Sequence, residues 1–182
     1  MKTLRPTFFN RGALEVAREL IGCYMVRKQN SKISRYMITE TEAYTGPEDL
    51  ACHAAHGRRT KRTEVLFGKP GRIYIYFTYG MHWLLNFVVG PKDFPAGVLI
   101  RGVTGVSGPA RVTKKLGLDG SFHGKVASKE TGLWVEVGEK IESKTIKRLP
   151  RVGVDYAGPV WAKKKFRFVF SVPGRGLEPP RP

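Results

Sequence analysis

Between residues 72 and 89 the chain reads RIYIYFTYGMHWLLNFVV. Two runs rich in β-branched and aromatic residues, Arg72–Phe77 and His82–Val89, flank the short stretch TYGM, which is the signal of a β-hairpin. Gly80 is available for the positive φ that a tight tip requires. Side chains alternate along a strand with period two, so Tyr74 and Tyr76 share one face. Tyr79 falls in the turn itself. A hairpin joins antiparallel neighbours, so this stretch sets the expectation of an antiparallel sheet.

The chain on either side extends that pattern. Upstream, Leu14, Ala17, Leu20 and Ile21 make an apolar stripe that predicts a helix over Ala13–Ile21, with Asn10 as its N-cap and Gly22 as its end. Cys23–Lys28 reads as a strand, Gln29–Lys32 as a polar turn and Ile33–Tyr44 as a long strand. Downstream, Ala96–Arg101 reads as a strand and Gly108–Leu116 as a helix, with Pro109 near its first position and Gly117 after it. Leu133–Val137 and Lys165–Ser171 supply further strands. No repeat or internal linker interrupts the order. The expectation is one α+β domain over residues 1–172, a mostly antiparallel sheet with surrounding helices, followed by a flexible Pro/Gly-rich tail at 173–182.

Composition narrows the function classes. A chain of 182 residues can bury a core of its own. MKTLRPTFFNRG, at the start, lacks the apolar segment of a signal peptide, and no apolar run is long enough to span a bilayer. Cys23 and Cys52 are too few for a disulfide framework, which fits a reducing, cytoplasmic compartment. The formal net charge is +17 and the isoelectric point is near 10.2. A balance this basic points to a polyanion, nucleic acid first and an anionic membrane second. The membrane reading needs a basic amphipathic helix, and the sequence contains none.

Against that background, ITETEAYTGPEDLACHAAH at 38–56 is unusual, because four of the fifteen acids fall between Glu40 and Asp49. In a regular strand Tyr36, Ile38, Glu40, Glu42 and Tyr44 share one face and look to the core. Glu42 then projects inward beside Tyr44, which is unfavourable unless the carboxylate is paired or poised to work. Both readings stand: a structural ion pair with one of many arginines, or a catalytic acid or base. Cys52, His53 and His56 suggest a metal site only weakly, since the second separated pair of a zinc site is missing. Tyr79, a large aromatic at a tight turn of a basic protein, suits a wedge that enters a base stack and fills the gap left by an extruded nucleotide. The alternative is that it packs against a neighbouring loop.

Taken together, ETEAYTGPEDLACH at 40–53, KPGRIYIYFTYGMHWLLN at 69–86, AGVLIR at 96–101, GPARV at 108–112 and RVGV at 151–154 resemble the alkyladenine (3-methyladenine) DNA glycosylase family. These islands keep their order and cover most of the chain. The resemblance implies a monofunctional base-excision enzyme without cofactor or metal. Its partner is double-stranded DNA carrying alkylated or deaminated purines: 3-methyladenine, 7-methylguanine, hypoxanthine or ethenoadenine. It implies that Glu42 activates a water, and that Arg101 and the Val152 backbone hold that water or the adjacent phosphate. It makes Tyr44, His53 and Tyr76 walls of the flipped-base pocket, and places Asn86 against the guanine 2-amino group. Tyr79 is the intercalating residue with Met81 beside it, on a hairpin that enters the minor groove. A monomer is expected, since clamping bent DNA needs one continuous basic face.

Cleaving an N-glycosidic bond builds positive charge on the sugar, and a carboxylate there polarises water and stabilises the cation. On this reading Glu40, Glu48 and Asp49 are structural, pairing with arginines or capping the next segment. Some features depart from the pattern. Cys52 stands where the family favours small residues, and RRTKRTEVLF at 58–67 matches only loosely. The chain also begins almost at the catalytic core, so no long regulatory extension is expected before it. The rival readings are a non-catalytic nucleic-acid-binding module, a metal hydrolase at Cys52/His53/His56, and a helix-hairpin-helix at LPRVGVDYAG, 149–158, where Arg151 replaces the first glycine. A lyase with a lysine nucleophile is a further alternative.

Overall fold

Alternation of apolar and polar residues along the strands sorts the chain into one sheet with two unlike faces. In the computed structural model, which describes residues 1–172, helices α1 (Pro6–Phe9) and α2 (Ala13–Leu20) lead into strands β1 (Tyr24–Gln29) and β2 (Lys32–Tyr44). A long loop with short 3-10 turns precedes the hairpin β3 (Ile73–Thr78) and β4 (His82–Val89). Then come β5 (Ala96–Val103), β6 (Val106–Ser107), α3 (Pro109–Leu116), β7 (Leu133–Glu136), β8 (Lys147–Leu149), α4 (Gly158–Lys163) and β9 (Arg167–Val169). The main path of the sheet is β3-β4-β5-β2-β1-β7, β6 edges β5, and β9 bridges β8 to β2. Every named pairing is antiparallel. The single α+β domain with a mostly antiparallel sheet is as the sequence leads one to expect. The tail at 173–182 lies outside the described residues.

One face of the sheet carries the main core. Ile73 and Ile75 of β3, Leu85 and Phe87 of β4, and Val98 and Ile100 of β5 pack under Val16 and Leu20 of α2 and Val112 and Leu116 of α3. Burying each such side chain stabilises the fold by roughly 1.5–3 kcal/mol relative to exposing it. The opposite face of the same strands presents Tyr74, Tyr76, Asn86, Leu99 and Arg101 to a cavity. α3 opens on Pro109 and closes on Gly117, which takes the left-handed conformation common just past a helix end.

Two expectations are corrected. Asn10 is not the N-cap of α2: it ends α1, its N–H bonding to the Pro6 carbonyl, and Gly12 precedes α2 without a side-chain cap. The four residues of α1 are too few to show a periodic stripe in sequence. The second correction concerns β2, which does not stay regular. Ile38 pairs with Val103 and Thr41 with Ile100, but between them Glu40 pairs with Gly102, so each strand slips and recovers. The sequence spacing between side chains on the same face is therefore odd across the slip. Ile38 and Ala43 both enter the core, as do Val103 and Ile100, and the Thr41 hydroxyl donates to the Ala17 carbonyl. Glu42 and Tyr44 consequently face the cavity, opposite to Ile38. Gly102 permits the close approach, since a Cβ there would lie 2.9 Å from the Glu40 Cβ.

Among the described residues no helix is long and apolar enough to cross a membrane.

Candidate active site

The cavity side of the sheet opens into a pocket of about 720 Å³, inside the roughly 300–1,000 Å³ span of small-molecule sites. Tyr74 and Tyr76 reach it from β3, Asn86 from β4, Leu99 and Arg101 from β5, and Glu42 and Tyr44 from the end of β2. His53 comes from the loop after β2, and Val152 from the loop after β8.

Glu42 sits at the floor with no accessible surface. Its Oε1 accepts the Val152 backbone N–H at 2.9 Å and lies 3.5 Å from the Arg101 Nε. Its Oε2 accepts the Tyr44 hydroxyl at 2.9 Å. Burial lifts the carboxyl above its ordinary pKa, while Arg101, the Val152 amide and the Tyr44 hydroxyl restrain the rise. Such a group binds a proton more readily than an exposed glutamate, while its donors favour the ionised form. Glu40, next but one in the strand, is tied instead to Arg101 at 3.1 Å and Arg167 at 2.9 Å.

A second, fully buried ion pair holds this arrangement together. Asp49 and Arg151 pair through both carboxylate oxygens, the Arg151 Nη2 donating to Oδ1 at 2.8 Å. Arg151 Nη1 also donates to the Ala43 carbonyl at 2.9 Å, and its guanidinium lies 4.8 Å from the centroid of the Tyr44 ring and 5.3 Å from that of Phe166. One arginine thus fixes both neighbours of the site: Val152, whose amide binds Glu42, and Ala43, which precedes Tyr44 by one residue. Asp49 further accepts the amides of Thr45 and Ala51. The structural reading of Glu40 and Asp49 fits these contacts. Arg151 itself was legible only as a break in a glycine motif, because its partner is 102 residues away. No helix-hairpin-helix forms at 149–158, where β8 ends and a 3-10 turn leads into α4.

The walls are aromatic. His53 meets Tyr76 edge to face with ring centroids 4.5 Å apart, and its Nδ1 lies 2.9 Å from the Tyr74 hydroxyl. Burial and then the charge of Arg62 pull the His53 pKa down to about 4, so the imidazole is neutral at pH 7. The Asn86 side-chain amide donates to the Tyr74 carbonyl at 3.3 Å. Cys52 is buried beside them with its Sγ 3.5 Å from the Pro95 carbonyl, and burial pushes its thiol up to about 11. Such a thiol is neither a ready nucleophile nor a ready ligand. His53 bonds to Tyr74 and not to a neighbour in the loop, and no group of three or more His, Cys, Asp or Glu side chains suited to a metal ion occurs among the described residues.

At the rim stands the hairpin tip. Tyr79 is 85% exposed and Met81 66% exposed. The Met81 N–H closes the turn on the Thr78 carbonyl, and Tyr79 and Gly80 both have positive φ, 51° and 66°. A bulky residue in the left-handed region is strained, and nothing is buried in exchange. Of the nine residues given roles by the family resemblance, eight line one cavity: Glu42, Tyr44, His53, Tyr76, Tyr79, Asn86, Arg101 and Val152. Met81 lies beside Tyr79 at the tip. Arg62, Tyr74 and Tyr156 also line it and were given no role from the sequence. The alternation that pairs Tyr74 with Tyr76 was the available signal for Tyr74.

The sequence pattern described as Methylpurine-DNA glycosylase (MPG) matches residues 7–107 and 103–173 of this chain. Among curated relatives, a provisionally named 3-methyladenine DNA glycosylase of Myxococcus xanthus is 42% identical, with 92% of this chain and 89% of the relative covered. A protein of the same name from Nitrosococcus oceani is 40% identical over 86% of this chain and 84% of its own length. Another from Psychrobacter cryohalolentis is 35% identical over 85% and 86%.

Proposed function

Since the chain belongs to the methylpurine-DNA glycosylase family, and is therefore a DNA N-glycosylase that hydrolyses N-glycosyl bonds, we propose that it draws a damaged purine out of duplex DNA into the aromatic cavity and cuts its bond to the sugar with a water activated by Glu42. The observation that carries this reading is the buried Glu42 carboxylate, held by the Val152 amide and Tyr44 beside Arg101 in a protein of net charge +17. The basic exterior attracts phosphate, while Glu42 on the cavity floor acts on the sugar. The Tyr44, Tyr76 and His53 rings sandwich the purine; each base face on an aromatic contributes roughly 1–3 kcal/mol. Tyr79, with Met81 beside it, enters the minor groove and fills the vacated stack, which offsets an unstacking cost of a few kcal/mol. Asn86 restricts the room for a guanine 2-amino group.

In the reaction, the C1′–N9 electron pair passes to the departing base and positive charge grows on the sugar. Glu42 takes a proton from the attacking water, whose oxygen bonds to C1′, and Arg101 and the Val152 amide orient both groups. The product is an abasic site, and one protein molecule suffices.

The substrates are purines alkylated at ring nitrogens or deaminated: 3-methyladenine, 7-methylguanine, hypoxanthine and ethenoadenine. Base release from labelled duplexes, each carrying one of these lesions, tests this with EDTA present throughout. The expected result is release of at least one lesion base with undamaged purines left in place. Tight lesion binding without release of any base would favour a recognition module and contradict the proposal.

A further inference from the structure

Among the basic residues of the 58–62 cluster, Arg59 is turned away: it pairs with Glu64 at 2.6 Å and stacks on Phe67. Arg62 is turned in. Its guanidinium lies 5.3 Å from the centroid of the Tyr76 ring. The backbone that carries it is fixed by a reciprocal pair of threonines: the Thr60 N–H donates to the Thr63 hydroxyl at 2.8 Å and the Thr63 N–H to the Thr60 hydroxyl at 3.2 Å. Thr63 is buried, and the following turn anchors Leu66 and Phe67 in the apolar cluster against which Tyr44 and Tyr76 pack. Arg62 therefore presents a positive charge beside the Tyr76 ring. Glu42 and Arg101 line the same pocket.

That charge is felt by the pocket. Burial raises the pKa of Tyr74 and Tyr76, and Arg62 opposes the rise in both; it adds to the effect of burial on His53. With His53 neutral, Arg62 is the positive charge set over the Tyr76 ring on which a base would stack.

We propose that Arg62 is a specificity-determining residue that favours excision of neutral damaged purines over cationic ones. This rests on the reading of the cavity as the purine pocket. The two lesion classes leave differently. When the C1′–N9 bond of a neutral purine such as hypoxanthine breaks, both electrons go to the ring and the base departs as an anion. It then gains a proton, so that water is divided between C1′ and base. A guanidinium at the pocket wall stabilises that anion as it forms. A 7-alkylpurine carries its positive charge before the bond breaks and leaves neutral. For it, the guanidinium opposes binding and gives nothing to the leaving group.

Single-turnover base release from a hypoxanthine duplex and a 7-methylguanine duplex, by wild type, Arg62→Gln and Arg62→Lys, tests the assignment. The expected result is a hypoxanthine rate that falls about tenfold or more in Arg62→Gln, a 7-methylguanine rate that stays level or rises, and partial recovery of hypoxanthine release in Arg62→Lys. The second substrate controls for folding. An equal loss on both duplexes would make Arg62 a phosphate anchor or a structural residue and overturn the proposal, as would a fall confined to 7-methylguanine. A wild type that releases neither base would overturn the pocket reading itself, and this inference with it.

Discussion

Glu42 combines two conditions that rarely coincide: it is completely buried, and its partners are donors that favour its ionised form. Burial wins in direction, so the carboxyl titrates above the usual carboxylate range. On the proposed mechanism only the ionised form accepts the proton of water. Activity should therefore be present above this raised pKa and fall as pH drops through it, at a higher pH than an exposed glutamate would give. The acidic limb of the single-turnover rate against pH measures this; a rate that is flat down to the normal carboxylate range would contradict it. The position of Glu42 was legible in sequence, as an acid beside an aromatic in a basic chain. Its partners were not. Val152 contributes only a backbone amide, from 110 residues away, and an amide carries no side-chain signature.

Elements explain how those partners meet. The predicted strands were found with ends shifted by a residue or two, because runs such as HWLLNFVV and RIYIYF are consistent in both propensity and alternation. The paired slip of β2 and β5 was not foreseen. Strict alternation put Glu42 on the same face as Ile38, and only Gly102, a glycine at the end of an apolar strand, signalled the close approach that reverses it. Arg151 then clamps the end of β2 to the 150–154 loop through Asp49 and the Ala43 carbonyl, an arrangement between distant segments that no local pattern announces. The hairpin was the most legible element, yet the positive φ of Tyr79 as well as Gly80 was not expected. A tyrosine there carries strain on the order of 1–3 kcal/mol, which a folding role does not explain and a wedge role does. Tyr79→Gly should leave stability unchanged or raise it by up to about 1 kcal/mol, and should lower base release from duplexes about tenfold or more. Urea unfolding and single-turnover release on the same preparation decide this; a loss of stability with release intact would mean that the ring supports the fold.

At the scale of the whole molecule, charge is the dominant property. A net +17 on 182 residues is far beyond what solubility needs, and Arg58 adds a basic side chain to the lining of the cavity. Binding that neutralises phosphates releases counterions, so the logarithm of the association constant should fall linearly with that of salt concentration. A slope steeper than about −4 is expected for a duplex, meaning four or more phosphates engaged; a slope shallower than about −2 would deny the basic surface its role. Charge alone could be read from composition, and it named the partner class without naming the chemistry. The chemistry needed the cavity, where the sheet turns its aromatic face toward one buried carboxylate.

The most direct test of that chemistry is single-turnover base release by wild type and Glu42→Gln on the duplex that wild type cleaves best, with EDTA present and duplex affinity measured for both. The substitution keeps the size of the side chain, removes its charge and leaves a carbonyl for the Val152 amide. The account predicts release reduced by at least about a hundredfold with affinity and melting temperature retained. Release by Glu42→Gln at a rate near that of wild type would contradict it, since the bond would then be cut without the carboxylate on which the mechanism rests.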